Sequence, residues 1–167
     1  MTLLLLLGCP PKTPAVVAPE PVVEVFSEPV SGRVENGRFA DRRHDLSVAV
    51  PDGWRAELWP DTGPLRVSIH HEETGAWIEV WAFEPRLQQP APRGSCTWDF
   101  IDTGTYRELL RPRMVASCTP AEPSDPRISA YLFDRGAVTW QLELHVPPEE
   151  FSAGRRACEA LLSSVQL

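Results

Sequence analysis

The sequence predicts an α+β domain: an antiparallel, twisted sheet of about five to seven strands packed against a C-terminal helix. Three observations carry that prediction. First, apolar residues recur with a period of two, most clearly where Val138, Trp140, Leu142, Leu144 and Val146 alternate with Thr139, Gln141, Glu143 and His145. On a strand that pattern gives one dry face and one polar face. Second, turn chemistry separates the alternating runs, as at Pro51-Asp52-Gly53, Glu73-Thr74-Gly75 and Asp134-Arg135-Gly136, because proline presets φ and glycine accepts a positive one. Third, the period changes after Pro147-Pro148. Phe151, Cys158, Leu161, Leu162 and Val165 fall on one face of a helix and Arg155, Arg156 and Glu159 on the other.

Taken in order, residues 32–44 read as a turn and a short strand around Arg38-Phe39-Ala40. Leu46, Val48 and Val50 alternate with Ser47 and Ala49, and Trp54 opens the next extended piece. Past the turn Asp61-Thr62-Gly63-Pro64, Leu65, Val67 and Ile69 alternate with Arg66, Ser68 and His70. The strand at 77–83 is apolar on both sides: Ile78, Val80 and Ala82 point one way, and Trp77, Trp81 and Phe83 the other, around Glu79. Residues 85–94 form a Pro-rich loop, 96–100 a short strand or a turn, and 106–110 a helical turn. A strand is expected at 113–119 and a loop at 120–126. Ile128, Ala130 and Leu132, alternating with Ser129, Tyr131 and Phe133, form the first arm of a hairpin whose second arm is 138–146. Glu149 and Glu150 stand at the N-terminus of the closing helix, where the helix dipole favours acids.

Ahead of the domain, residues 3–7 are an apolar run, Gly8 is small and Cys9 follows at once. The string Leu6-Leu7-Gly8-Cys9 resembles the lipobox of bacterial lipoproteins. That resemblance implies that Cys9 is lipidated and that residues 1–9 are a signal segment. No Lys or Arg precedes Cys9, and Leu7 stands where a smaller residue is usual; a start codon upstream of Met1 accounts for the missing basic region. Five leucines are far short of the ~20 apolar residues that span a bilayer, so the expected anchor is lipid. The triacylated cysteine implied by the resemblance supplies the more than one acyl chain that stable anchoring requires. Residues 10–31 are dense in proline (Pro10, Pro11, Pro14, Pro19, Pro21, Pro29), which removes backbone donors and fixes φ. Such a stretch is a semi-rigid polyproline spacer, reaching about 65 Å at ~3.1 Å per residue. The single domain then occupies 32–167.

The strand and turn LSVAVPDGW, the late hairpin ISAYLFDRGAVTWQLELHV and the terminal helix ending LLSSVQL resemble the PsbP-like fold, which includes DcrB-like bacterial envelope lipoproteins. The resemblance covers most of 46–167 and implies a binding or assembly factor without catalysis or cofactor. It offers no counterpart for the region around Cys96 and Cys118. A net charge of −7 over 167 residues argues against a nucleic-acid partner, which would need a basic face. The expected location is the bacterial cell envelope, with the domain outside the cytoplasm and the membrane and a protein as partners.

In such an oxidising compartment disulfides persist. Cys96 and Cys118 flank a loop-rich stretch, and Cys158 lies on the apolar helix face. A Cys96–Cys118 disulfide is expected, closing a loop of about 23 residues worth roughly 3 kcal/mol on the chain-entropy account; Cys118–Cys158 is the competitor. His70 and His71 are strand neighbours that point to opposite faces, and Glu143 with His145 makes only two ligands, so no metal site is expected. There is no nucleophile elbow and no phosphate-cradling glycine motif, so no catalytic residue is assigned. The candidate partner-binding residues are Trp77, Trp81 and Phe83, with Tyr131. They form an apolar patch if their face is open; the more ordinary arrangement is that the 85–94 loop covers it. A small-ligand or metal-binding module is the alternative, requiring polar groups that converge near His70, Glu143 or His145; an enzyme ranks third.

Overall fold

A computed structural model describes residues 29–93, 97–101 and 112–166. Cys9, Cys96 and the expected helical turn at 106–110 lie outside them. The described chain is mainly antiparallel β with one C-terminal helix, as expected for an α+β domain. Its strands form two sheets rather than one: ten strands, arranged as a three-stranded and a seven-stranded sheet.

The small sheet consists of β1 (Gly32–Glu35), β2 (Arg38–Asp41) and β3 (Ser47–Ala49), in that order. Asn36 and Gly37, both at positive φ (50° and 68°), make the hairpin turn between β1 and β2. The chain docks before Gly32. Val30 bridges Pro60, the Ser31 amide donates to the Trp59 carbonyl at 2.8 Å, and the buried Ser31 hydroxyl donates to the Arg66 carbonyl.

The large sheet has the order β4-β5-β6-β10-β9-β8-β7. β4 (Trp54–Leu58), β5 (Leu65–His71) and β6 (Trp77–Phe83) form one meander; β7 (Thr97–Ile101), β8 (Met114–Thr119), β9 (Arg127–Arg135) and β10 (Val138–Val146) form a second. The last strand in the chain therefore returns to pair with β6, and the two meanders meet along that β6–β10 seam. β10 lies mid-sheet and all nine of its residues are buried, including the alternate set that sequence reasoning assigned to a solvated face.

The dry face carries Val67, Ile69, Ile78, Val80, Trp140, Leu142 and Leu144. It is closed by Cys158, Leu161 and Leu162 of α1 (Phe151–Leu162) and by Phe39 and Val48 of the small sheet. Glu150 is the N-cap residue of α1 but makes no side-chain capping bond, so its contribution is limited to its charge near the dipole. The helix approaches closely at Gly154, where a Cβ would stand 2.9 Å from Val146 Cγ1 and 3.0 Å from Ala76 Cβ. Cys158 is buried and free, and burial pushes its thiol up to about 12, so it behaves as a small hydrophobe. Cys118 is disulfide-bonded; since Cys158 is free, a Cys118–Cys158 bridge is excluded.

Candidate functional site

The second face of the large sheet is built from the odd-numbered residues of β6 and β10. Antiparallel register sets Trp77 opposite His145, Glu79 opposite Glu143, Trp81 opposite Gln141 and Phe83 opposite Thr139. A polar row from one meander thus faces an aromatic and acidic row from the other. His70 of β5 extends the row, since it lies opposite Trp77. The His70 and Trp77 rings stack at 6.2 Å between centroids, and those of Trp77 and His145 at 4.5 Å with planes 9° apart. His71 lies on the other face, against Trp54, and its Nδ1 pairs with the Thr74 hydroxyl at 2.9 Å. The two histidines are separated as the strand alternation requires.

Residues 84–93 lie as a strap across this face. Its prolines prevent it from continuing the ladder, and it is held instead by side chains rising from β10. The Leu87 amide donates to Thr139 Oγ1 at 3.1 Å and the Ala91 amide to Gln141 Oε1 at 2.9 Å. Arg113 fastens the strap from the side, donating to the Leu87 carbonyl at 2.7 Å. Trp98 does the same from β7, donating to the Ala91 carbonyl at 3.0 Å.

The strap ends on Arg93, which makes the strongest contact. Its Nε donates to both oxygens of Glu143 at 3.0 and 2.9 Å, and its Nη2 lies 2.9 Å from Glu79 Oε2 and 2.8 Å from Glu143 Oε2. The guanidinium also lies over the Trp81 ring, 3.9 Å from its centroid. Two carboxylates, one of them fully buried, are thus bridged by one planar cation. His145 Nε2 completes the cluster at 3.3 Å from Glu143 Oε2 and 3.5 Å from Glu79 Oε2. The Trp77 and Trp81 indoles donate to Glu79 at 3.4 and 3.2 Å.

These contacts outweigh burial for Glu79 and His145, the two groups of the cluster whose titration departs from the ordinary. For Glu79, burial alone would raise the carboxyl; the close polar approach and charge of His145, followed by the Arg93 charge, bring it below its usual 4.5. For His145, burial alone would lower the imidazolium; the close approach and charge of Glu143 and Glu79 carry it above 6.5. A depressed acid stabilises the fold above its unfolded value and stops doing so as pH falls through its folded one; a raised base stabilises below its unfolded value and stops as pH rises through its folded one. Both contributions are therefore present between about pH 4.5 and 6.5. Urea midpoints measured across pH are expected to peak in that window and fall on both sides. His145→Gln should flatten the alkaline limb and shrink the acid one as well, because His145 supplies the largest contributions that hold Glu79 below its usual value.

The sequence-derived candidates are accommodated differently. Trp77, Trp81 and Phe83 do share a face and each is half-buried: Arg93 of the strap lies over Trp81, and Trp77 is stacked between His70 and His145, so the three do not form an open apolar patch. Tyr131 does not join them. It lies opposite Leu142, on the helix side, and is 2% exposed. Glu143 and His145 are not a wet sheet surface but the base of a charged cluster, and sequence reasoning did not connect Glu79 and Arg93 to it. The chain matches no protein-family model, and no curated protein matches it significantly.

Proposed function

We propose that this chain is a bacterial envelope lipoprotein, held at the membrane by acylated Cys9 and spaced from it by 10–31. In this reading its PsbP-like domain binds a protein partner or supports an assembly rather than catalysing a reaction. The observation that carries the binding role is the Arg93 clamp. The charged groups on the second face neutralise one another across the β6–β10 seam, and the strap they hold gives that face the character of a sealed structural layer. The Leu6-Leu7-Gly8-Cys9 string and the Pro-rich run support the anchor. No helix among the described residues is long and apolar enough to cross a membrane. Trp59, 39% exposed beside the docked Ser31, is the apolar side chain this reading offers to a partner near the root of the spacer.

The test is labelling with a radioactive fatty acid in the native host, combined with a photo-crosslinking residue at position 59. Label should enter the wild-type protein and vanish in Cys9→Ser, which should shift to the soluble fraction. Crosslinking in intact membranes should give one adduct of defined size. An unmodified Met1 peptide recovered from soluble contents would overturn the anchor. Absence of any adduct from position 59 and from probes spread over the domain would overturn the partner.

A further inference from the structure

We propose that Glu79, Glu143 and His145 form a binding site for a divalent metal ion of the zinc class, and that the Arg93 side chain occupies it as a displaceable internal cation. The three side chains offer one ligand atom each, all within 4.8 Å of one another. Two further observations direct them at a common guest.

The first is His145 Nε2. The residue is 7% exposed, and this nitrogen is fully buried yet makes no hydrogen bond of acceptable geometry. It points at the two carboxylates at 3.3 and 3.5 Å. In a tetrahedral zinc site, with bonds of about 2.0–2.1 Å to nitrogen and oxygen, neighbouring ligand atoms stand roughly 3.3 Å apart. The His145–Glu143 and His145–Glu79 separations are thus those of two ligand edges before any ion is present. Stacking on Trp77 fixes the plane of the imidazole, as outer-shell contacts fix histidine ligands in metal sites.

The second is the position of Arg93. Its Nη2 lies 2.8 and 2.9 Å from the same two oxygens that face His145, so a positive group already sits beside the ligand triangle. It enters from the strap side of the sheet, at the strap's end rather than on a strand, and its side chain keeps 27% exposure. It can swing outward without moving β6 or β10. In that exchange the divalent ion takes the place of the guanidinium between two carboxylates, whose two negative charges match its own. A mixed nitrogen and oxygen set suits zinc and its first-row neighbours better than calcium or magnesium. Three protein ligands leave a fourth position for water or a partner's side chain.

The experiment is a titration of the purified full chain with cobalt(II) as a spectroscopic stand-in, then with zinc in competition. It is run on wild type, Arg93→Gln, Arg93→Lys and Arg93→Gln/His145→Gln. Wild type should bind one equivalent weakly, with cobalt bands of low coordination number and quenching of Trp81 fluorescence. Arg93→Gln should bind about tenfold or more tightly, and the added His145→Gln should abolish the gain. Arg93→Lys retains a charge but cannot fork to both carboxylates, so it should fall between wild type and Arg93→Gln; it also serves if Arg93→Gln fails to fold. Equal affinities for wild type and the Arg93 variants, or binding that survives loss of His145, would overturn the site.

Discussion

Replacing Arg93 with alanine is expected to destabilise the domain by about 3 kcal/mol in metal-free buffer and to release the strap. Removing one partner of a buried ion pair costs roughly 3–5 kcal/mol, because the other charge is left without compensation. The lower end applies here, since Glu79 retains 20% side-chain exposure while Glu143 has none. His145 offsets part of the loss by remaining beside both acids. The double variant Arg93→Met/Glu143→Gln should recover much of the stability, because the fully buried charge goes with its partner and the part-exposed Glu79 keeps His145 beside it. Urea denaturation measures the first effect. Hydrogen exchange at the Leu87 and Ala91 amides measures the second: both are protected only by contacts to β10, and they should exchange far faster in Arg93→Ala. A variant as stable as wild type, with both amides still protected, would show that the clamp does not hold the strap.

Trp140→Ala should cost as much or more, about 3–5 kcal/mol by the usual range for a large aromatic truncated in a core. Trp140 is fully buried in the middle of β10, and its ring meets His44 edge-on at 5.3 Å between centroids. It therefore packs the small sheet's connecting loop onto the large sheet as well as filling the core. Its indole nitrogen has no hydrogen-bond partner, and an unpaired buried donor carries a penalty of ~1–3 kcal/mol. Trp140→Phe removes that penalty while leaving a smaller void, so the two effects largely cancel. Thermal and urea midpoints should separate the two variants widely. Comparable losses would mean that the indole nitrogen is satisfied and that ring volume alone matters.

The extent to which the molecule was legible in its sequence follows from which interactions are local. Alternation within 65–71, 77–83 and 138–146 placed the strands almost to the residue, because each pattern is complete within one strand. It also put Glu143 and His145 on one face. The same pattern could not show that this face is buried, since polar alternation reads as solvent whenever the neighbouring strand is unknown. Glu79 reaches Glu143 only because β10 returns to β6 after the whole second meander, and Arg93 reaches both from a loop whose path no periodicity records. Tyr131 was misplaced for a related reason. β9 is apolar on both faces, with Ala130 and Leu132 on one and Tyr131 and Phe133 on the other, so only its register against Leu142 decides which side the tyrosine takes. The separate small sheet escaped notice because β1 to β3 look like any other short strands; their departure depends on packing against Trp140 and α1.

The place of β10 has a consequence for how the chain matures. A polypeptide emerging N-terminus first presents β4, β5 and β6 with the β6 edge unpaired and its Ile78 and Val80 uncovered, until nearly the whole length has appeared. Closure joins residues some sixty positions apart, and pairings of such long sequence separation are slow to form. The nascent chain thus cannot complete its large sheet until its final segment is released, and a fragment ending before Val138 would carry a sticky, aggregation-prone border.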